Sequence, residues 1–169
     1  MSFTLTTLKS TVQDYLESTE TTFTSNLNTF ITEAEDRIFN NVQLPVQRKN
    51  VQGSLTASNR FLATPTDFYA PFSVAVPDSN YTVEIHYLHK PTSLTAGSDS
   101  GTTVLSTDYP EALLYGTLVE AAVFLKETPD VIGNFEARFK EALARMKNLS
   151  EGRKQRDEYR YDSLRQGVS

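Results

Sequence analysis

The run "FITEAEDRIFNNVQLPVQRKNVQGSLTASNRFLATPTDFYAPF", residues 30–72, carries the chain out of an amphipathic helix and into a small β element. Phe23, Leu27, Phe30, Ile31, Ala34 and Ile38 fall at steps of three and four, which places one apolar stripe on a helix. Glu33, Glu35, Asp36 and Arg37 belong mostly to the opposite, solvated face. Asn40 and Asn41 favour a helix end, and Pro45 lacks the N–H that continuation would need. Beyond Gly53, Thr56-Ala57-Ser58-Asn59 has turn composition between Leu55 and Phe61-Leu62, so a short hairpin is expected there. Pro65 and Asp67 close it.

Working outward, residues 5–18 form a first helix on Leu5, Leu8, Val12, Tyr15 and Leu16, and a second runs from about Thr22 to Asn41. The polar link "STETT" is short enough to make them antiparallel neighbours. "PFSVAV" and "NYTVEIHYLH" read as strands. In the second, Tyr81, Val83, Ile85 and Tyr87 alternate with Thr82, Glu84, His86 and Leu88, the pattern of a half-buried strand. Pro77-Asp78-Ser79-Asn80 suits the turn between them, and "TSLTAGSDSGTT" reads as an exposed, mobile loop. A third helix starts near Asp108, capped by Thr107 or Asp108, with Pro110 in its first turn. Its body, "EALLYGTLVEAAVFLKE", is apolar nearly all round and belongs in the centre of a bundle. A fourth helix begins near Asp130, with Ile132, Phe135, Phe139, Ala142, Met146 and Leu149 as its seam and Gly152 as an expected interruption.

The 169 residues give room for one core. With no cysteine there is no disulfide framework and no thiolate chemistry. "MSFTLTTLKS" lacks a basic region followed by an apolar run, so no signal peptide is expected, and no apolar run reaches membrane-spanning length. The net charge of −5 is uneven: residues 138–169 carry nine Lys or Arg and five Asp or Glu, the rest seven and sixteen. An acidic body argues against a nucleic-acid reader, whose affinity comes from phosphate neutralisation.

Few constellations carry chemistry. Glu33, Glu35, Asp36 and Glu84 could in principle supply paired carboxylates, but a glycosidase needs two carboxyls across a cleft, and these read as a solvated face. His86 and His89, three apart on one strand, point to opposite faces and do not share a metal, so no metal site and no cofactor is expected. "AGSDSG" lacks the Lys-Thr or Lys-Ser of a phosphate loop. In the C-terminal stretch Arg153, Lys154, Arg156, Tyr159, Arg160, Tyr161 and Arg165 interleave guanidinium and phenol. That stretch reads either as a docking arm for a protein partner or as a solvated terminus.

In order, "FITEAEDRIFNNVQLPVQRKN", "FLATPTDFYAPFSV", "YTVEIHYLHKPTSLTAGSDSGTTVLSTDYPEALLYGTLVEAAVFLKE" and "FEARFKEALARMKNLSEGRKQRDEYRYD" resemble the head-to-tail adaptor proteins of tailed bacteriophages. The resemblance covers about residues 20–162. It implies a non-enzymatic structural protein of the virion neck, assembled in the host cytoplasm. It implies a ring, usually of twelve copies, beneath the portal protein, which extends the DNA channel and offers a surface to a tail or nozzle protein. Genomic DNA passes through without specific binding, and no membrane is involved. Terminal arms in such proteins reach the portal or a neighbour, which assigns docking to Arg153, Lys154, Arg156, Tyr159, Arg160, Tyr161, Leu164 and Arg165. Family members carry a longer β-rich stretch where Val76 here passes straight to Pro77, so either a short hairpin or an absent segment fits.

The expected fold is mainly α: a four-helix bundle with a small β-hairpin or antiparallel sheet inserted between helices two and three, and an extended C-terminal arm. Residues 1–150 are read as the helical adaptor domain, with the β insertion at about 50–91, and 151–169 as the docking arm. Glu33, Glu35, Asp36 and Glu120 are candidate channel-lining acids, because an acidic wall lets DNA slide. Two other classes compete: a nucleic-acid-binding module acting through the basic tail, and a small carboxylate hydrolase.

Overall fold

A computed structural model of the protein describes residues 2–55, 61–75 and 82–165, with residues 151–165 described as backbone only. It is mainly helical with a small antiparallel sheet. The elements are α1 (Leu5–Leu16), α2 (Thr21–Asn41), β1 (Arg48–Ser54), β2 (Phe68–Ala75), β3 (Thr82–His89), α3 (Val104–Asp108), α4 (Pro110–Phe124) and α5 (Pro129–Arg165). Short 3₁₀ turns occupy Pro45–Gln47 and Leu94–Ala96. Two compact units result: a helical one from residues 1–43 and 92–169, and a sheet unit, Leu44–Pro91.

In the helical unit, Thr4 and Thr7 start α1 with a reciprocal pair: the Thr7 amide donates to Thr4 Oγ1 at 3.2 Å, and the Thr4 amide to Thr7 Oγ1 at 2.8 Å. The stripe read from the sequence is the buried face of α2, where Phe23, Leu27, Phe30, Ile31, Ala34 and Ile38 are all enclosed. Asn41 ends the helix by donating to the Arg37 carbonyl at 2.7 Å. α4 is central as expected, packing against α1, α2, α3 and α5. Gly116 is what lets α2 and α5 approach it. A Cβ there would lie 3.1 Å from the Ala34 Cβ and 3.0 Å from the Phe139 ring.

Four differences from the sequence reading stand out here. The helix expected near Asp108 is two helices: Thr103 caps α3 through the Ser106 amide at 3.3 Å, and α4 begins at Pro110 after Tyr109, with no side-chain cap. Leu149 is exposed, and Ser150 takes the buried place because the seam steps by four after Met146. The Ser150 hydroxyl donates to the Gln43 carbonyl. α5 runs through Gly152 to Arg165 without interruption, so a helix extends where an arm distinct from it was expected. The Ser/Thr/Gly loop is pinned at one end. Leu94 is buried, Thr95 shares a hydroxyl hydrogen bond with Thr32 at 3.2 Å, and the Thr6 amide donates to the Asp99 carbonyl at 3.1 Å.

In the sheet unit the strand order is β1-β3-β2, antiparallel throughout. β3 has the expected alternation, with Val83, Ile85 and Tyr87 buried and Leu62 and Phe68 packed against them. Leu62 lies so close over Gly53 that a Cβ there would sit 2.8 Å from it. β1, which the sequence reading led into a short hairpin turning at residues 56–59 between Leu55 and Phe61-Leu62, instead pairs along its whole length with β3, from Arg48↔Leu88 to Ser54↔Thr82. Its polar composition fits an edge strand with both faces exposed. β2 forms the other edge, which tolerates Pro71 and the irregular register around Tyr69 and Phe72. The two turns read at residues 56–59 and 77–80, and the junction between Val76 and Pro77, lie outside the described residues.

Candidate functional site

The charged side chains on α2 do not form one solvated face. Glu33 is exposed, but Glu35 is only 2% exposed, and its Oε1 accepts the Leu94 amide at 3.0 Å. That corrects the reading of Glu35 as a channel-lining acid: in this subunit its carboxylate fastens the loop after the sheet unit onto α2. Asp36 is half-buried. Glu120 is half-buried on α4 and is taken up by Arg37, whose Nη1 meets Glu120 Oε1 at 2.7 Å. Arg37 Nη2 reaches Glu136 Oε2 on α5 at 3.1 Å, and its Cζ lies 4.8 Å from the centre of the Phe139 ring. Burial works against the Arg37 charge, but the hydrogen bonds to Glu120 and Glu136 outweigh it and raise its pKa further. One guanidinium thus ties three helices together. Sequence reasoning missed this; the available signal was a lone cation among three acids on α2.

In the sheet unit, Lys49 Nζ contacts Asp67 Oδ2 at 2.7 Å while the Tyr87 hydroxyl donates to Asp67 Oδ1 at 2.9 Å. The hydrogen bond from Lys49, then that from Tyr87, holds the Asp67 carboxyl below its usual range. Lys49 is raised by the same bond to Asp67. Tyr87 is raised first by burial and then by Asp67. His89 is buried, with Nδ1 3.0 Å from the Gln47 carbonyl, whereas His86 on the other face lies 3.7 Å from Glu84. The two histidines are therefore apart, and among the described residues no three His, Asp or Glu side chains cluster as metal ligands.

A groove of about 330 Å³ opens in the helical unit where α4 begins. Tyr109, Ala112, Ala142, Met146 and Leu149 give it apolar walls. Leu149 is 56% exposed there. Asp108 and Glu111 stand at its rim with Arg145, which contacts Glu111 Oε2 at 3.2 Å and also bonds Glu141. No sequence signal marked this groove, because α4 was read as wholly enclosed.

α5 is 37 residues long, about 55 Å at an α-helical rise. Residues Arg153, Lys154, Arg156, Tyr159, Arg160, Tyr161, Leu164 and Arg165 lie on its final turns, and their side chains fall outside the described residues. No helix among the described residues is long and apolar enough to cross a membrane.

Comparison with curated proteins gives no match. A family model does match: that of the SU10 adaptor protein, over residues 72–167, which takes in the second half of β2 and all of β3, α3, α4 and α5. More than half of the chain is covered, in the segments that build the helical unit around α4, and the chain belongs to this family of phage head-to-tail adaptors, structural components of the virion that associate with other head and tail proteins.

Proposed function

We propose that the protein forms a ring beneath the portal, extends the DNA channel and presents the surface to which the tail attaches. The observation that carries this reading is the family match across residues 72–167, in a chain whose conspicuous charged groups are engaged in holding helices together. In each subunit the helical unit is organised by α4, and neighbours meet head to tail so that the rotation closes. Residues 151–169 act as a docking arm, through Arg153, Lys154, Arg156, Tyr159, Arg160, Tyr161, Leu164 and Arg165, for the portal or a neighbouring copy. Many weak copies then add up to a firm attachment. Glu33 and Asp36 are the acids proposed to face the channel. Glu120 shares its charge with Arg37 and contributes less.

The test is genetic and biochemical. Phage lacking this chain should accumulate DNA-filled heads without tails, and added purified protein should restore tail joining. Normal tailed particles in its absence would refute the proposal.

A further inference from the structure

We infer that the groove at the start of α4 receives the basic–aromatic stretch of residues 153–161 from a second copy of this chain. The inference rests on the ring reading above and names the contact that closes the ring.

Two observations lead to it. The first is chemical complementarity. The groove has apolar walls, with Leu149 and Met146 on one side and Tyr109 and Ala112 on the other. Among the described side chains around it, the carboxylates of Asp108, Glu111 and Glu141 outnumber the Arg145 guanidinium, which two of them already engage. The local charge is therefore negative. The stretch "RKQRDEYRY" offers four cations against two acids, with two tyrosines that have an apolar body and a polar tip. Tyrosine and arginine are the side chains that most often anchor protein interfaces, and this groove suits both.

The second observation identifies whose stretch it is. Leu149 and Tyr159 lie on the same unbroken helix, α5. Ten residues of α-helix carry the chain about 15 Å along its axis. A continuous helix cannot turn back, so the stretch that begins just past the groove moves away from it. The groove of one copy is open to the stretch of another. A contact between two different surfaces of identical chains is heterologous, and repetition of such a contact closes a ring when the rotation allows.

The chain's lack of cysteine makes the test clean. Leu149→Cys and Tyr159→Cys are introduced into separate full-length chains, which are mixed at high concentration under mild oxidation. The mixed disulfide dimer should dominate over both homodimers, and a chain carrying both substitutions should give a ladder of multimers. Adding Asp108→Lys and Glu111→Lys, with the fold checked by circular dichroism, should lower the mixed cross-link roughly tenfold. High salt should lower it as well. Random pairing, an intramolecular disulfide, or a yield indifferent to charge reversal would overturn the inference. A chain that restores tails to tailless heads yet gives no cross-link would sink the groove contact alone. A chain with a native groove that never restores them would sink the adaptor reading itself.

Discussion

Gly116 shows how little room the centre of the helical unit leaves. With Ala34 and Phe139 already about 3 Å from a hypothetical Cβ, a branched side chain must push α2 or α5 away. Gly116→Val should cost about 2 kcal/mol and lower the melting temperature by several degrees, read by calorimetry. Arg37 makes a different kind of demand. Arg37→Met leaves Glu120 and Glu136 facing the same space without their shared cation. A double-mutant cycle of Arg37→Met with Glu120→Gln should give a coupling of about 1 kcal/mol, modest because the pair is partly solvated. Additive effects would show that the bond contributes nothing. Lys126 ends α4 in a left-handed conformation, φ 57°, with the Glu127 amide donating to the Ala122 carbonyl and the Lys126 amide to that of Val123. This is the position a glycine usually takes, so Lys126→Gly should stabilise the protein by about 0.5–1 kcal/mol. Legibility at this scale was uneven. The apolar stripe of α2 could be read because burial follows helical period. Glu35 could not, because its partner is a backbone amide 59 positions away, and no local pattern announces such a bond.

Among the elements, β3 was the most readable: its alternation fixes which side chains are enclosed, and a shift of one residue would invert them. β1 was unreadable for the complementary reason. An edge strand exposed on both faces has no alternation to detect, and its partner lies far downstream, from Ser54↔Thr82 to Arg48↔Leu88. Beside its ladder with β3, β1 is fastened by the Lys49–Asp67–Tyr87 cluster, whose pH dependence follows from the signs. Asp67 is held below its ordinary value, so the stability it contributes is present above its unfolded pKa and is lost as pH falls through the lower folded value. Lys49 and Tyr87 are held above theirs, so their contributions are full below the unfolded values and are lost as pH rises through the folded ones. The sheet unit should therefore be most stable across the neutral range and weaken in acid below about pH 4 and in alkali above about pH 10. Asp67→Asn should remove the acid limb, measured as hydrogen exchange of β1 amides against pH. An unchanged acid limb would show that the cluster does not set it. The reading of α5 failed at Gly152 because a single glycine costs only about 1 kcal/mol in a helix, which a long helix can absorb.

At the scale of the whole molecule, the sequence pointed to a coupling protein through the order of its segments, and the family match across residues 72–167 agrees. It could not show the groove, because that surface arises only when α3 and α4 separate at Tyr109 and α5 is laid beside them. Contact between copies is a property of the folded surface, to which no single stretch of sequence corresponds. On the proposed function, this chain acts as a closed ring of identical copies joining head to tail. Single-particle imaging of the neck of intact virions tests it most directly. Continuous density is expected for a ring of this fold between portal and tail, with α5 of each copy reaching its neighbour. A neck without this chain, or with isolated copies that touch no neighbour, would contradict it.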